Sequence, residues 1–353
     1  MAQQVKVGDV NGIPIISLAA FLNASNKQAV AEAMLDSFKT IGFVYLVDHG
    51  VPKEKIDGMF DWSKKFFALP AETKMLAPHP PSGTHHRGYS PPGKEKVVQH
   101  IYDEKELAKI RAKAPDAKES FEVGREEDAA MTNIWLPDGV FPGFKEACLD
   151  FFWVCREVEL TILRALSLGL HLEEGFLEKF HTAPDNQLRL LHYPRHVYWI
   201  DSLRPHIAHI SYSVRVDDLE RDEIARIGAH SDFGSITLLM QDNVGGLEVE
   251  NPHKPGEFTP ATPVEGAIVV NAGDFLMRWS NDMIKSTIHR VRAPPNASKE
   301  GMTPERYSIP YFCSADYSRT VDCLPGTFTE KNPKKYDPIS SGQYIMSRLA
   351  ATY

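Results

Sequence analysis

Two histidines and an aspartate in the C-terminal half of the chain could together hold a metal ion. His230 and Asp232 are two residues apart in a predicted extended segment, so their side chains point to the same face. His289 lies far downstream in another predicted strand. Two imidazoles and a carboxylate can occupy one face of an octahedral ion and leave three positions open, as in non-haem Fe(II) centres. A His-x-Asp tripeptide arises about once by chance in a chain with 14 histidines, so the surrounding motifs decide its meaning.

Arg306 and Ser308 follow the third candidate ligand and share one face of the next predicted strand. A guanidinium binds a carboxylate through two parallel hydrogen bonds, and a hydroxyl can add a third. This pair therefore suits the distal carboxylate of a dicarboxylic 2-oxoacid. The alternative for Arg306 is a structural ion pair at the rim. A second Arg-x-Ser sequence begins at Arg278, but it leads into a predicted turn and precedes His289.

The elements that must position these residues are short strands. Apolar segments separated by turn residues recur at 188–193, 207–214, 235–241, 247–250, 267–271, 287–291 and 306–312. Many short strands at this spacing predict a β-sandwich or barrel. Helical periodicity predicts helices at 27–40, 53–67 and 143–168, with a buried strand at 43–47 and a closing helix at 342–349.

The predicted fold class is therefore α+β, with a double-stranded β-helix (jelly-roll) core, a helical N-terminal region and a C-terminal helix. We expect the helical region to span residues 1–180 and the core to span 181–353, together forming one compact unit. The stretch 104–130 is rich in Lys and Glu and is predicted to be a solvated surface region.

Composition excludes several classes of protein. The chain has 353 residues and a formal net charge of -8, which argues against a general nucleic-acid binder. No apolar run approaches the roughly 20 residues that span a membrane. The four cysteines form no CxxC pair, which fits a reducing compartment. We expect a cytoplasmic enzyme with neither a membrane nor a nucleic acid as its partner.

The motifs around the candidate ligands resemble the isopenicillin-N-synthase-like branch of the Fe(II)/2-oxoglutarate-dependent dioxygenases, most closely its fungal members. The resemblance covers nearly the whole chain, with residues 13–74 similar to the family's N-terminal region and 226–312 similar to its catalytic barrel. The motifs that carry it are His230–Leu239, Gly245–Val249, Asn271–Asp274 and Ser286–Val291.

The resemblance implies that His230, Asp232 and His289 bind Fe(II), and that Arg306 with Ser308 binds 2-oxoglutarate. Dioxygen would be the other co-substrate, and succinate and carbon dioxide would be released. Tyr193 matches a family tyrosine that also hydrogen-bonds the oxoacid, although an ordinary buried tyrosine is the alternative. The family's usual asparagine two residues before this tyrosine is replaced by Leu191.

Substrate contacts are predicted in the connection at 195–225, which is longer than in many relatives. Extra loops at a barrel mouth often contact substrate, and a surface hairpin without a ligand is the alternative. The candidates in this connection are His196, Tyr198, Trp199, His206 and His209. Arg189, on the preceding strand, could meet an acidic substrate inside the barrel or be paired structurally.

The function that these residues and the resemblance imply is oxidation of a C–H bond of a small molecule, in secondary metabolism. Hydroxylation, desaturation and radical ring rearrangement are all compatible with it. One alternative is an iron oxidase of the isopenicillin N synthase type that works without 2-oxoglutarate, which Tyr193 disfavours. The others are an ethylene-forming enzyme and a non-catalytic binding protein on the same barrel, and the intact ligand set argues against the last.

Overall fold

The computed structural model describes residues 5–82, 84–95, 116–199, 210–213, 226–294 and 303–349. Its helices are α1 (Ala19–Leu22), α2 (Lys27–Thr40), α3 (Lys53–Phe67), α4 (Ala71–Lys74), α5 (Phe144–Gly169), α6 (Asp274–Trp279) and α7 (Ser341–Leu349), with a 3-10 turn at Leu177–Phe180. None of the helices in these residues is long and apolar enough to cross a membrane. The four cysteines are buried and form no disulfide.

In the part of the chain that the structure describes, the strands form two main sheets and two short ribbons. They are β1 (Lys6–Val10), β2 (Ile13–Ser17), β3 (Phe43–Val47), β4 (Gly88–Ser90), β5 (Glu119–Val123), β6 (Gln187–Tyr193), β7 (His196–Trp199), β8 (Ile210–Ser213), β9 (Ile227–His230), β10 (Ile236–Gln241), β11 (Leu247–Glu250), β12 (Phe258–Pro260), β13 (Ile268–Ala272), β14 (His289–Val291), β15 (Arg306–Cys313), β16 (Thr320–Val321) and β17 (Ile339–Ser340). The large sheet has the order β1-β2-β3-β13-β10-β15-β6-β5-β4, and the small one has the order β12-β11-β14-β9. Strands from both sides of residue 181 are therefore hydrogen-bonded in one sheet.

Strand alternation divides the large sheet into two faces. On β15, Ile309 and Tyr311 belong to the core between the sheet and the helices, whereas Arg306 and Ser308 line the interior between the two sheets. The same alternation holds along β3, β6, β10 and β13. Because successive side chains of a strand point to opposite faces, each central strand supports the helices and also supplies cavity residues.

A second apolar cluster joins the two sheets. Phe43 and Tyr193 of the large sheet pack in it with Leu247, Val249 and Val291 of the small sheet. Together the sheets and helices form the α+β architecture with a jelly-roll core that the sequence predicts.

Helices α2 and α5 cover the outer face of the large sheet. The side chain of Asn26 accepts a hydrogen bond from the backbone N–H of Ala29 and caps α2. Gly143 precedes α5 with a φ of +87°, a conformation that glycine adopts without steric cost. Buried residues such as Phe151 and Ile162 line the inner face of α5.

Several predicted elements agree with the structure residue by residue. Helices α2 and α3 and strands β3 and β11 begin and end where the sequence predicts. The remaining predicted strands overlap observed ones with shifts at their ends, and residues 207–209 and 214 of one prediction lie outside the described residues.

The prediction of a solvated surface region at 104–130 is wrong for part of that stretch. Residues 104–115 lie outside the described residues, but β5 is fully buried between β4 and β6. Its acidic side chains are not solvated because buried partners neutralise them. Glu119 is 2.8 Å from Lys74 and 2.7 Å from His192, and Glu122 is 2.8 Å from Arg189.

Candidate active site

The two candidate imidazoles meet because their strands are neighbours. His230 ends β9 and pairs directly with His289 on β14 in the antiparallel register. Asp232 follows β9 and turns its carboxylate toward both rings. Its Oδ1 lies 3.9 Å from Nε2 of His230 and 3.8 Å from Nε2 of His289.

Hydrogen bonds on the far side of each ligand orient it toward a common centre. Nδ1 of His230 donates to the Gly228 carbonyl at 2.8 Å, and Nδ1 of His289 donates to the Thr287 carbonyl at 3.1 Å. A carbonyl only accepts, so Nδ1 of each ring carries the hydrogen and Nε2 is the nitrogen turned toward Asp232. Such outer hydrogen bonds are the usual support of metal-bound histidines.

The two oxygens of the Asp232 carboxylate have different surroundings. Oδ2 accepts hydrogen bonds from Oγ1 of Thr237 (2.6 Å) and Nδ2 of Asn271 (2.7 Å). Oδ1 is the oxygen that faces the two imidazoles. One oxygen is therefore held in place while the other is directed at the position of an ion.

The protonation states suit a divalent cation. Burial, and to a smaller extent the neighbouring His289, lowers the pKa of His230 to about 4. Burial acts to raise the pKa of Asp232, but the two imidazoles and the hydrogen bonds from Asn271 and Thr237 hold it below its ordinary value. Neutral imidazoles and an ionised carboxylate are the forms that bind metal. The residues present therefore fit Fe(II).

The predicted oxoacid pocket lies on the adjacent part of the large sheet. Arg306 and Ser308 lie on β15, and Nη1 of Arg306 donates to Oγ of Ser308 at 3.1 Å. Tyr193 is the direct partner of Arg306 across the β6–β15 pairing, and the guanidinium lies 4.9 Å from the centre of its ring. Leu191, which replaces the family's asparagine, lines the same cavity. Arg306 is buried, so it does not lie at the exposed rim that the alternative requires.

Arg226 is a buried cation that the sequence does not single out. It stands just before β9, is 1% exposed, and lies 5.8 Å from the centre of the Tyr193 ring. Its side chain donates to the Pro304 carbonyl. Burial lowers its pKa to about 10, and repulsion from Arg306 contributes. No local pattern around residue 226 distinguishes it from a surface arginine, because its position beside Tyr193 arises only in the fold.

A cavity between the sheets joins the candidate metal ligands to the oxoacid pocket. It is lined by the three ligands, by Tyr193, Arg306 and Ser308, and by an apolar belt that includes Phe43, Phe233, Leu247, Val291 and Phe312. Helix α7 contributes Ile345 and Leu349 to the same wall. Periodicity predicts this helix but not its position at the cavity.

The end of the cavity at β6 carries a network of charged side chains. Arg189 is ion-paired with Glu95 and Glu122, and Glu95 is also paired with Lys118. Arg189 and Glu95 both line the cavity. Arg189 therefore makes the structural ion pairs that were the alternative to its contact with an acidic substrate. An acidic substrate at Arg189 would also meet the carboxylate of Glu95.

The other predicted substrate residues lie in or beside the long connection. Tyr198 and Trp199 lie in β7, which pairs with β8 in an antiparallel ribbon that also contains His196. This backbone pairing is compatible with the surface hairpin that was the alternative. His206 and His209 lie outside the described residues. The contact of this connection with substrate stays a prediction.

Asp274 links the metal ligands to the C-terminal helix. Its Oδ1 accepts hydrogen bonds from Ser231 and Ser286, each at 2.7 Å, and its Oδ2 lies 3.0 Å from Nη2 of Arg348. Ser231 lies between His230 and Asp232. Asp274 therefore supports the strand ends on either side of the site.

Comparison with known proteins identifies the family. Residues 13–138 match the model described as the N-terminal part of the non-haem dioxygenase in morphine synthesis, and residues 184–315 match that of the 2OG-Fe(II) oxygenase superfamily. The proline hydroxylase buaE of Petromyces alliaceus is 35% identical over 337 residues, covering 94% of this chain and 97% of its own. The chain belongs to the 2OG-Fe(II) oxygenase superfamily.

Further relatives agree with this assignment. The 2-oxoglutarate-dependent dioxygenase gloF of Glarea lozoyensis is 33% identical, with 91% of this chain and 92% of its own covered. A full-length Neurospora crassa protein, crystallised in complex with alpha-KG and thymine, has a TM-score of 0.82 and 39% identity. The match covers 99% of this chain and 100% of the Neurospora crassa chain.

This superfamily member is a non-haem iron, 2-oxoglutarate-dependent dioxygenase. The predicted cofactors, Fe(II) and 2-oxoglutarate, are thereby confirmed, as is the resemblance to fungal enzymes. The oxidase without 2-oxoglutarate, the ethylene-forming enzyme and the non-catalytic barrel are not favoured by these relatives.

Proposed function

We propose that this dioxygenase holds Fe(II) with His230, Asp232 and His289 and anchors 2-oxoglutarate with Arg306, Ser308 and Tyr193. The observation that carries the proposal is the cavity itself, which the candidate ligands and the Arg306 pocket share. When bound, Fe(II) supplies the activation of dioxygen, with electrons drawn from the oxoacid, which leaves as succinate and carbon dioxide.

The residues of the chain have separate tasks in this reaction. Arg306, with Ser308 beside it, fixes the distal carboxylate of the oxoacid by a geometry suited to a bidentate contact. Arg226 adds a second positive charge near Tyr193 and so favours the doubly charged oxoacid in this corner. The apolar belt and α7 exclude water from the cavity. The substrate C–H bond, and not a water molecule, is then the group that lies next to the iron site.

The substrate that fits the cavity is a small molecule with both hydrogen-bond donors and acceptors at one end. Glu95 offers acceptors and Arg189 offers donors on the same wall. An amide or cyclic imide can address both, whereas a free carboxylate would face repulsion from Glu95. Thymine, which the Neurospora crassa relative holds in its crystal structure, is a molecule of this kind.

The first experiment adds Fe(II) and 2-oxoglutarate to the metal-free protein without oxygen and records the visible spectrum. We expect a charge-transfer band in the wild type, and a much weaker band at equal oxoacid in Arg306→Ala. The matched control is Arg278→Ala, because Arg278 belongs to the other Arg-x-Ser sequence and its guanidinium donates to the Asp337 carbonyl, away from the cavity. Bound iron without a band, or equal bands in all three proteins, would contradict the assignment.

The substrate class is tested by pairs of compounds that differ only in one group. Each pair contains an amide or imide and the corresponding carboxylic acid, and succinate formation is measured with the product identified by mass. We expect turnover of the amide or imide with insertion of one oxygen atom. Preferential turnover of the acids would reject this substrate class while leaving the iron and oxoacid assignments intact.

A cytoplasmic location, a role in secondary metabolism for this chain, and the absence of a nucleic-acid partner are part of the same proposal. The four unpaired cysteines support the cytoplasmic location. The acidic net charge supports the absence of a nucleic-acid partner. The names of the fungal relatives, which include several dioxygenases and a proline hydroxylase, support the role.

A further inference from the structure

A second group of metal-ligating side chains lies apart from the three candidate iron ligands. His79, His86 and Glu122 are buried, and one ligand atom from each lies within 4.8 Å of the others. In the described residues, this group and the iron ligands are the two sets of three such side chains that meet this distance. Neither the family assignment nor the proposed reaction uses the second set.

Backbone pairing brings these three residues together. The segment just before the loop at residue 80 runs beside β4, with the His79 N–H donating to the Tyr89 carbonyl at 2.8 Å. Strand β4 in turn pairs with β5, and Gly88 is the direct partner of Glu122. His86 lies two residues before the first residue of β4. The cluster is thus a product of three adjacent backbone segments and not of a flexible surface.

The distances repeat those of the iron ligands. Oε2 of Glu122 lies 3.8 Å from Nε2 of His79 and 3.8 Å from Nδ1 of His86. The corresponding separations from Asp232 are 3.9 and 3.8 Å. These separations are too long for hydrogen bonds. Two donors each about 2.1 Å from a tetrahedral ion are roughly 3.4 Å apart, so an inward shift of a few tenths of an ångström would bring these atoms to ligand distance.

The orientation of the donors also repeats for His79 and for the carboxylate, whereas His86 presents Nδ1 in place of Nε2. Nδ1 of His79 lies 2.7 Å from the Pro80 carbonyl and must donate to it, so Nε2 of the neutral ring directs its lone pair at Glu122. Oε1 of Glu122 accepts from Arg189 (2.8 Å) and Ser120 (3.2 Å). Oε2 of Glu122 is buried with no hydrogen-bond partner among the described residues. One oxygen is held and the other faces two imidazoles, as for Asp232.

We propose that His79, His86 and Glu122 bind a second divalent transition-metal ion, of the Zn²⁺ class. Two imidazoles and one carboxylate are a common zinc ligand set that leaves a fourth position for water. A bound cation would give the buried Oε2 of Glu122 a positively charged partner. It would also link the segment before β4 to β5. His86 also lines the cavity, which provides a path for the ion to enter.

The test measures zinc content in a protein whose iron ligands are removed. The full-length variant His230→Ala/His289→Ala is stripped with a chelator, equilibrated with Zn²⁺, desalted and analysed by mass spectrometry. We expect one zinc per chain, and loss of that zinc when His79→Gln is added. Adding His253→Gln instead, at an exposed histidine, serves as the matched control and should leave the zinc in place.

X-ray absorption at the zinc edge keeps the test decisive if the His79 variant does not fold. In the His230→Ala/His289→Ala protein, the bound zinc should show two imidazole ligands and one or more oxygen ligands. No bound zinc, fewer than two imidazoles, or retention of the zinc in the folded His79→Gln protein would each overturn the proposal. The readout is independent of iron, of oxoacid binding and of turnover, so it does not depend on the proposed function.

Discussion

At the scale of single residues, the candidate iron site depends on how each ligand is held as well as on its identity. The two imidazoles are fixed by backbone carbonyls, and Asp232 is fixed by Thr237 and Asn271. Residues that hold a metal ligand contribute to affinity even though they never touch the ion. Substitutions can separate the contribution of the ligands from that of the residues that hold them.

His230→Ala should abolish iron binding and turnover. Two remaining ligands cannot hold Fe(II) on one octahedral face, and no other imidazole is directed at that position among the described side chains. Iron content after desalting and succinate formation measure the effect, with His253→Ala as the exposed control. Full activity in the His230 variant would reject the assignment of this ligand.

Thr237→Val should weaken iron binding by roughly 10- to 100-fold while the fold is retained. The substitution preserves the shape of the side chain but removes the 2.6 Å hydrogen bond to Oδ2 of Asp232. Competition with a chelator measures the affinity. Thr40→Val is the matched control, because Oγ1 of Thr40 donates to backbone carbonyls of its own helix. An unchanged affinity in the Thr237 variant would show that this bond has no part in orienting the ligand.

At the scale of elements, the approach of α2 and β3 to the segment before β14 positions His289. Gly42 joins α2 to β3 with a φ of +78°, and a Cβ there would lie 2.5 Å from the Lys285 carbonyl. Oγ1 of Thr287 donates to the Ile41 carbonyl at 2.6 Å. The end of a helix in the N-terminal region thus holds the strand that carries a candidate iron ligand.

Gly42→Ala should therefore destabilise the protein and weaken iron binding. A positive φ costs an alanine about 1–2 kcal/mol, and the close contact adds roughly 1–3 kcal/mol. Gly139→Ala is the control, because its φ is +80° but a Cβ meets nothing within 4 Å. Urea unfolding and chelator competition are the measurements. Equal effects of the two substitutions would mean that backbone strain alone matters and that the contact with Lys285 is relaxed at no cost.

Strand β5 shows where element prediction from sequence reaches its limit. The Lys- and Glu-rich stretch that contains its two glutamates is typical of solvated surface, and only the partners supplied by α4 and β6 allow the strand to be buried. Glu119 needs Lys74 and His192, which are 45 and 73 residues away along the chain. No local window contains that information.

At the scale of the whole molecule, the large sheet separates a helix-covered core from the cavity. In the core, His181 joins the 3-10 turn to the segment before β10, since its Nδ1 lies 2.8 Å from the Leu177 carbonyl and its Nε2 lies 2.9 Å from Oγ of Ser235. The ring is fully buried. A group held neutral at this depth makes the stability of the whole fold depend on pH.

The free energy of unfolding of the metal-free protein should fall as the pH falls from about 6.5 to about 4. Burial lowers the pKa of His181 from 6.5 to about 4, so in this window the unfolded chain binds a proton that the folded chain does not. The stability is fully present above pH 6.5, and the loss reaches roughly 3 kcal/mol once the pH is below 4. Urea unfolding across this range measures it.

A His181→Gln variant isolates this contribution from that of other buried histidines. Its unfolding free energy should depend less steeply on pH over the same range, although the variant is less stable near pH 8 because the hydrogen bonds are altered. Parallel pH profiles for the wild type and the variant would mean that His181 keeps its ordinary pKa in the folded protein.

Local patterns in the chain are sufficient to predict the family motifs, the α+β class, and the periodic helices and strands. These features depend on spacing: alternation places His230 and Asp232 on one face of an extended segment, and Arg306 and Ser308 on one face of another. Tertiary packing decides that Arg189 is ion-paired, that Arg226 lies beside Tyr193, and that α7 forms part of the cavity wall. It also places His79 and His86 against Glu122. These features depend on contacts between strands distant in sequence, whose register is set by packing and charge pairing across the whole fold.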